Sequence, residues 1–202
     1  MVPRLKMHDP GLPRCRWGFR ILGGMKTLVL TLMLLLSAVG LSHAQSKGDE
    51  KAENKFTKVK KGDRAPAFEC TTVSGEKFSL GSETGKVVLV FFFSTGCGPC
   101  METVPRLEKD VYQKYGNRQD FNMIAFGRRH KDPELKSFIA TNDLSFLVAA
   151  DPVRGFYHKY ASQYIPRNYL IGNNGTIAYE SVGYTEDEFE ILLRRIAAEL
   201  DR

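Results

Sequence analysis

The chain has 202 residues, of which 43% are hydrophobic and 26% charged, a balance that excludes a disordered polymer and leaves room for one ordinary domain. Its formal charge of +6 does not signal nucleic acid. Residues 1–44 carry six basic side chains (Arg4, Lys6, Arg14, Arg16, Arg20 and Lys26) against Asp9 alone, so the remaining chain has a net charge of only +1 and implies no basic face.

In chain order, the first readable segment is MKTLVLTLMLLLSAVGLSHAQS, beginning at Met25. Lys26 supplies a positive start, residues 28–36 an apolar core, and Ser42-His43-Ala44 the small residues of a cleavage site. The apolar run is shorter than the roughly 20 residues of a spanning helix. Residues 1–44 therefore read as a presequence ending in a cleaved signal peptide, with Met25 as an alternative start. Export, to the periplasm of a Gram-negative cell or otherwise outside the cytoplasm, is the expectation, and disulfides persist there. Residues 45–61, QSKGDEKAENKFTKVKK, are charged and read as a flexible linker before a domain over 62–202.

That domain opens with GDRAPAFECTTVSGEKFSL, which alternates around Ser74-Gly75 as a small hairpin. Residues 87–93, VVLVFFF, are uninterrupted apolar and predict a central strand buried on both faces. Met101, Val104, Leu107, Val111 and Tyr115 then recur at helical spacing, ended by Gly116-Asn117. A second strand, FNMIAF (121–126), precedes a helix with Asp132 as cap and Pro133 in its first turn. A short strand (145–150) and a short helix (151–161) follow. Two strands around Asn173-Asn174-Gly175 and an amphipathic helix capped by Thr185 end the chain. The order predicts an α/β domain with a parallel core and an antiparallel edge.

The chemistry resides in FFFSTGCGPC (91–100). A zinc site takes four ligands, but no second C-x-x-C is present and His130 and His158 stand alone, so no metal is expected. A disulfide closing so small a loop braces little. Redox chemistry fits: the strand delivers Cys97 to the start of a helix, where free N–H groups and the helix dipole favour a thiolate. Cys100 lies one turn along on the same face. Pro99 suits the first turn, and Gly98 lets a partner chain approach. Cys97 then attacks and Cys100 resolves the mixed disulfide. With Gly98 and Pro99 neutral and residues 91–93 apolar beneath, nothing stabilises the thiolate strongly, which points to a reductant. Further along, YIPRNYLI sets Pro166 just before a strand, where a cis or a trans bond are both open readings.

With both elements in view, the sequence resembles the thioredoxin superfamily, and within it the exported TlpA/ResA-like thiol–disulfide oxidoreductases. The likeness covers about residues 60–200: GDRAPAFE, GKVVLVFFFSTGCGPC, Pro105, YIPRNYLIGNNGTI and the last helix. It implies a thioredoxin-like fold, a central mixed sheet of four to five strands flanked by helices, with an N-terminal β-hairpin. It also implies a nucleophilic Cys97, a resolving Cys100, and a cis Ile165-Pro166 bond facing them. Gly98, Pro99, Ile165 and Pro166 would receive the substrate chain. No cofactor is implied beyond a Cys97–Cys100 disulfide. The partners implied are protein thiol or disulfide clients and an upstream electron-donating thiol protein, with neither metal nor nucleic acid.

Three positions depart from the relatives. Gly96 replaces the usual aromatic before the first cysteine, Thr103 a common Glu, and Phe91 the buried acid of thioredoxin itself. Glu102 is the candidate to take over proton transfer, against its reading as an exposed helix carboxylate. Cys70, alternating with Phe68, reads as a small buried hydrophobe. His130 and Arg128 read as solvated loop residues or as groups that steer a substrate. Tyr157, Tyr160, Tyr164 and Tyr169 crowd Pro166 as packing or as a groove. Two rival functions remain: a peroxiredoxin-like thiol peroxidase, with Ser94 in the place of a Thr, and a non-catalytic thioredoxin-like binding module. Val90 in place of a peroxidase proline argues against the first, and the intact cysteines against the second.

Overall fold

Strand β3 (Val87–Phe93) organises the domain, because all seven of its residues are buried. In the computed structural model, residues 55–202 are described; the apolar run at 28–36 and the cleavage site at Ala44 lie outside them. Side chains alternate along a strand, so an apolar run must be covered on both faces. Val87, Leu89, Phe91 and Phe93 join one core cluster, while Val88, Val90 and Phe92 join the other.

The hairpin pairs β1 (Glu69–Thr71) with β2 (Lys77–Ser79) in antiparallel register, Cys70 opposite Phe78. The main sheet has the order β5-β4-β3-β6-β7. β4 (Phe121–Arg128) and β5 (Leu147–Asp151) run parallel to β3, whereas β6 (Arg167–Ile171) and β7 (Ile177–Val182) are antiparallel to their neighbours. The parallel core and antiparallel edge are those the element order predicts. The Asn173-Asn174-Gly175 turn uses positive φ only at Gly175.

Helix α1 (Gly98–Arg106), α2 (Asp132–Thr141) and the last helix, α4 (Glu186–Leu200), contribute apolar residues to the Phe91 side of the sheet. The other side is covered by Phe68 and Phe78 of the hairpin region and by Tyr157 and Tyr160 of the short α3 (Tyr157–Tyr160). Asp151, buried at the end of β5, accepts from the N–H groups of Phe156 and Tyr157 at 3.2 and 2.8 Å and so sets the start of α3.

One helix differs in its winding from the sequence reading, and two boundaries differ in position. The helix after the cysteines continues through a π turn, Leu107–Tyr112, before its last turn, Gln113–Tyr115. That turn follows Pro105, which has no N–H to donate to the preceding turn. The cap of α2 is Lys131, one residue before Asp132: its backbone is extended, and its N–H donates to the Glu134 carboxylate at 3.0 Å. The segment read as linker joins the domain from Phe56, with Thr57 bridged to Ala161, Lys58 N–H donating to Tyr160 O, and Ser162 N–H donating to Phe56 O. Its few apolar side chains, Phe56 and Val59, find aromatic and core partners there.

Phe92 is fully buried, with ring centroids of Phe126, Tyr157 and Tyr160 between 5.4 and 5.5 Å away. Phe92→Ala should cost about 3–5 kcal/mol of unfolding free energy. Denaturant titration would measure it, and a loss below about 1 kcal/mol would show that this aromatic layer repacks freely.

Candidate active site

At the end of β3 the chain turns through Ser94, Thr95 and Gly96, and the Cys97 N–H closes the turn onto Ser94 O at 3.1 Å. Cys97 is the N-cap of α1 with extended backbone (φ −100°, ψ 110°), and its sulfur accepts from the Cys100 N–H at 3.3 Å. A helix N-terminus leaves several N–H groups unpaired, and here one of them points at sulfur. Cys97 and Cys100 are disulfide-bonded, with Cα atoms 5.2 Å apart. Their environments differ: Cys97 is half-buried, Cys100 has no exposed surface, and Gly96, Gly98 and Pro99 are exposed. Below them lie Phe91 and Phe93, stacked at 5.6 Å, so the floor is apolar.

The opposite wall is the segment before β6. The Ile165-Pro166 peptide bond is cis, and Ile165 O lies 3.7 Å from Cys97 Sγ. Tyr157 OH donates to Tyr164 O at 2.6 Å. Arg167, fully buried, donates through Nε to Gln163 O at 3.0 Å and Tyr164 O at 3.2 Å. Its Nη1 donates to Thr57 Oγ1 at 2.7 Å. Sequence reasoning missed Arg167. The only signal was a cation at the head of an otherwise core-like strand.

His130 and Arg128 are not solvated loop residues. Gly127 and Arg128 extend β4, and the Arg128 guanidinium lies 5.0 Å from the Tyr157 ring centroid. His130, with 15% of its side chain exposed, ties the redox turn to α2. Its Nε2 lies 3.1 Å from both Thr95 N and Ser94 Oγ, and its Nδ1 3.1 Å from Glu134 Oε2. A backbone N–H can only donate, so Nε2 is an acceptor and the ring proton sits on Nδ1, facing the carboxylate. The Lys131 N–H, and then this ring, hold the Glu134 carboxyl below its usual range.

The other singled-out residues stand apart. Glu102 is exposed on α1. Cys70 is free and half-buried against the core face opposite the disulfide, where burial pushes its thiol up to about 11, so it is largely protonated near neutral pH. Tyr157, Tyr160 and Tyr169 are fully buried packing residues; Tyr164 is exposed. Among the described residues no cluster of three or more His, Cys, Asp or Glu could hold a metal, and no helix is long and apolar enough to cross a membrane.

A C-x-x-C disulfide capping the first helix of a mixed sheet, opposite an X-Pro loop, defines the class: a thioredoxin-like thiol–disulfide oxidoreductase. The Redoxin family model matches residues 60–194, and the chain belongs to that family. It is 31% identical over 172 residues to the thiol-disulfide oxidoreductase ResA of Bacillus thuringiensis subsp. konkukian, an alignment covering 83% of this chain and 94% of the relative. It is 32% identical to the thioredoxin-like protein YneN of Bacillus subtilis, covering 65% and 78%. Among solved structures, a Bacteroides thetaiotaomicron protein proposed to be a protein disulfide isomerase superposes with a TM-score of 0.70 at 31% identity, covering 73% of this chain and 94% of that one. A Chlorobium tepidum protein proposed to be the thiol:disulfide interchange protein DsbE gives 0.61 at 30% identity, covering 70% and 99%.

Removing the His130 acceptor should loosen the redox turn. His130→Ala should cost about 1 kcal/mol of stability, whereas His130→Gln, which returns an acceptor oxygen near Nε2, should recover most of it. Unfolding midpoints of the two variants measure this, and equal midpoints for both and the unaltered protein would show that the contact holds nothing.

Proposed function

We propose that the protein is an exported reductant of protein disulfides, working through Cys97 as nucleophile and Cys100 as resolving thiol. One observation carries the assignment: only Cys97 is both accessible and seated at the helix N-terminus, while Cys100 is buried behind it. In the reduced protein, the Cys97 thiolate attacks one sulfur of a client disulfide. A Cys97–client bond forms, the client S–S bond breaks, and the first client sulfur leaves as a thiolate that takes up a proton. Cys100 then loses its proton and attacks Cys97 Sγ. The Cys97–Cys100 bond forms, and the second client sulfur leaves and is protonated. Two electrons and two protons have passed to the client, and a thiol protein must return them.

The client backbone would lie between the exposed Gly98-Pro99 and the half-buried Ile165 that precedes buried Pro166, on either side of the Cys97 sulfur. Glu102, exposed just past Cys100, would exchange protons with solvent rather than act from a buried position. Export rests on the signal-like segment at 25–44, cleaved after Ala44, with the domain that begins at Phe56 as the working unit.

Two experiments decide these points. The full chain carrying Cys100→Ser, recovered from outside the cytosol, should begin at Gln45 and carry client chains on Cys97 that reductant releases. Retention of residues 28–36 would reject cleavage, and absence of adducts would reject the assigned nucleophile. Equilibration of the pair with glutathione buffers should give a potential near the about −270 mV of thioredoxin and far from the about −120 mV of DsbA. No cation lies between the cysteines, and the floor is apolar, so the thiolate gains little beyond the helix terminus. A value near that of DsbA would make the protein an oxidant.

A further inference from the structure

We propose that the Tyr164 ring, backed by Phe56, is a specificity-determining surface that selects client polypeptides with an aromatic or large aliphatic side chain beside the reacting cysteine. Among the described residues the exposed large hydrophobics are Tyr164, at 44%, and Val153. Both stand on the sheet edge that carries Cys97: β3 and β5 run parallel and end there, and antiparallel β6 begins there just after Tyr164. Tyr164 is the closer in sequence to the chemistry, since the next residue, Ile165, places its carbonyl 3.7 Å from Cys97 Sγ. A client sulfur bonded to Cys97 brings its own chain past that carbonyl.

Tyr164 is also held rather than merely left exposed. Its φ of 67° lies in the left-handed region that a bulky side chain enters at a steric cost. Its carbonyl is fixed by Tyr157 OH and Arg167 Nε, and its ring meets the Phe56 ring edge-on at 5.4 Å. A pre-set aromatic surface binds with little loss of side-chain freedom. Across the site, Gly96 leaves the rim bare: its φ is not positive, and a Cβ there would meet nothing within 4 Å. Neither backbone nor packing demands glycine at 96, and its lack of a side chain opens the approach to the sulfur.

The occupant is a client chain and not this protein's own preceding segment. Residues 45–54, QSKGDEKAEN, contain no apolar side chain larger than Ala52 to offer the ring. Tyr164 directly precedes Ile165, whose carbonyl faces the point of exchange, so its selectivity acts on the flanks of the client cysteine.

The inference rests on the reductase reading and is tested with the reduced full-length protein on two peptide disulfides, one with Phe-Cys-Phe and one with Ser-Cys-Ser at its centre. Quenched single-turnover reactions followed by mass spectrometry give the second-order rate constant for each. The Phe peptide should be reduced about tenfold more efficiently, the discrimination one apolar contact supplies. Tyr164→Ser should bring the ratio close to 1, while Tyr164→Phe should preserve it. Equal rates on the two peptides, or a preference that survives Tyr164→Ser and Phe56→Ala, would overturn this surface and leave the dithiol reaction standing. A preference that changes with protein concentration would assign the surface to a second copy of the chain and overturn it as well. Failure to reduce either peptide would sink the reductase reading and this inference with it.

Discussion

Strand β3 leaves no residue from Val87 to Phe93 exposed, and the other elements are arranged by that constraint. A strand covered on both faces sits inside its sheet, with one neighbour on each side. β4 and β6 fill those places, one parallel and one antiparallel. The parallel connection needs a crossover helix, so the chain leaving Phe93 must turn directly into α1. The antiparallel neighbour must begin where β3 ends. Helix N-terminus and X-Pro loop therefore meet at one edge, and the cysteine pair lies between them.

Two opposed electrostatic effects act on the Cys97 sulfur. The N–H of Cys100 points at it from 3.3 Å, and the helix terminus favours negative charge there. Phe91 and Phe93 beneath the turn exclude water from one side and disfavour that charge. Cys100 receives the second effect in full, since it is buried in the same cluster. The asymmetry between the two thiols follows from their positions on the helix: the first cysteine caps it, and the second faces the sheet.

The X-Pro loop opposite the disulfide is stiffened from behind by a buried cation. Burying a guanidinium is costly unless its N–H groups find acceptors. Arg167 finds Gln163 O, Tyr164 O, Thr57 Oγ1 and Tyr169 OH. Three of these belong to the chain around Pro166, and one to the segment entering the domain. Holding the loop and anchoring residues 56–58 are therefore one act, which ties the start of the folded domain to the rim of its active site.

Elements whose cause is local can be read from the order of residues alone. Seven apolar residues in succession can only be a doubly covered strand or part of a buried helix, and Cys-Gly-Pro-Cys at its end, with proline in the first turn, decides for strand then helix. Thr185 caps α4 by accepting from the Glu188 N–H, a contact three residues long. The anchoring of the redox turn by His130 was not legible in that way, because it joins positions 35 residues apart. The Arg167–Thr57 bond spans 110 residues, and on charge alone both His130 and Arg167 look like surface groups. Only the tertiary structure brings the Thr95 N–H donor to His130 and acceptors to Arg167. A hydrogen bond is directional and short-ranged, so its partner is set by the final packing of the chain, whereas an apolar run declares its burial in any fold that can cover it.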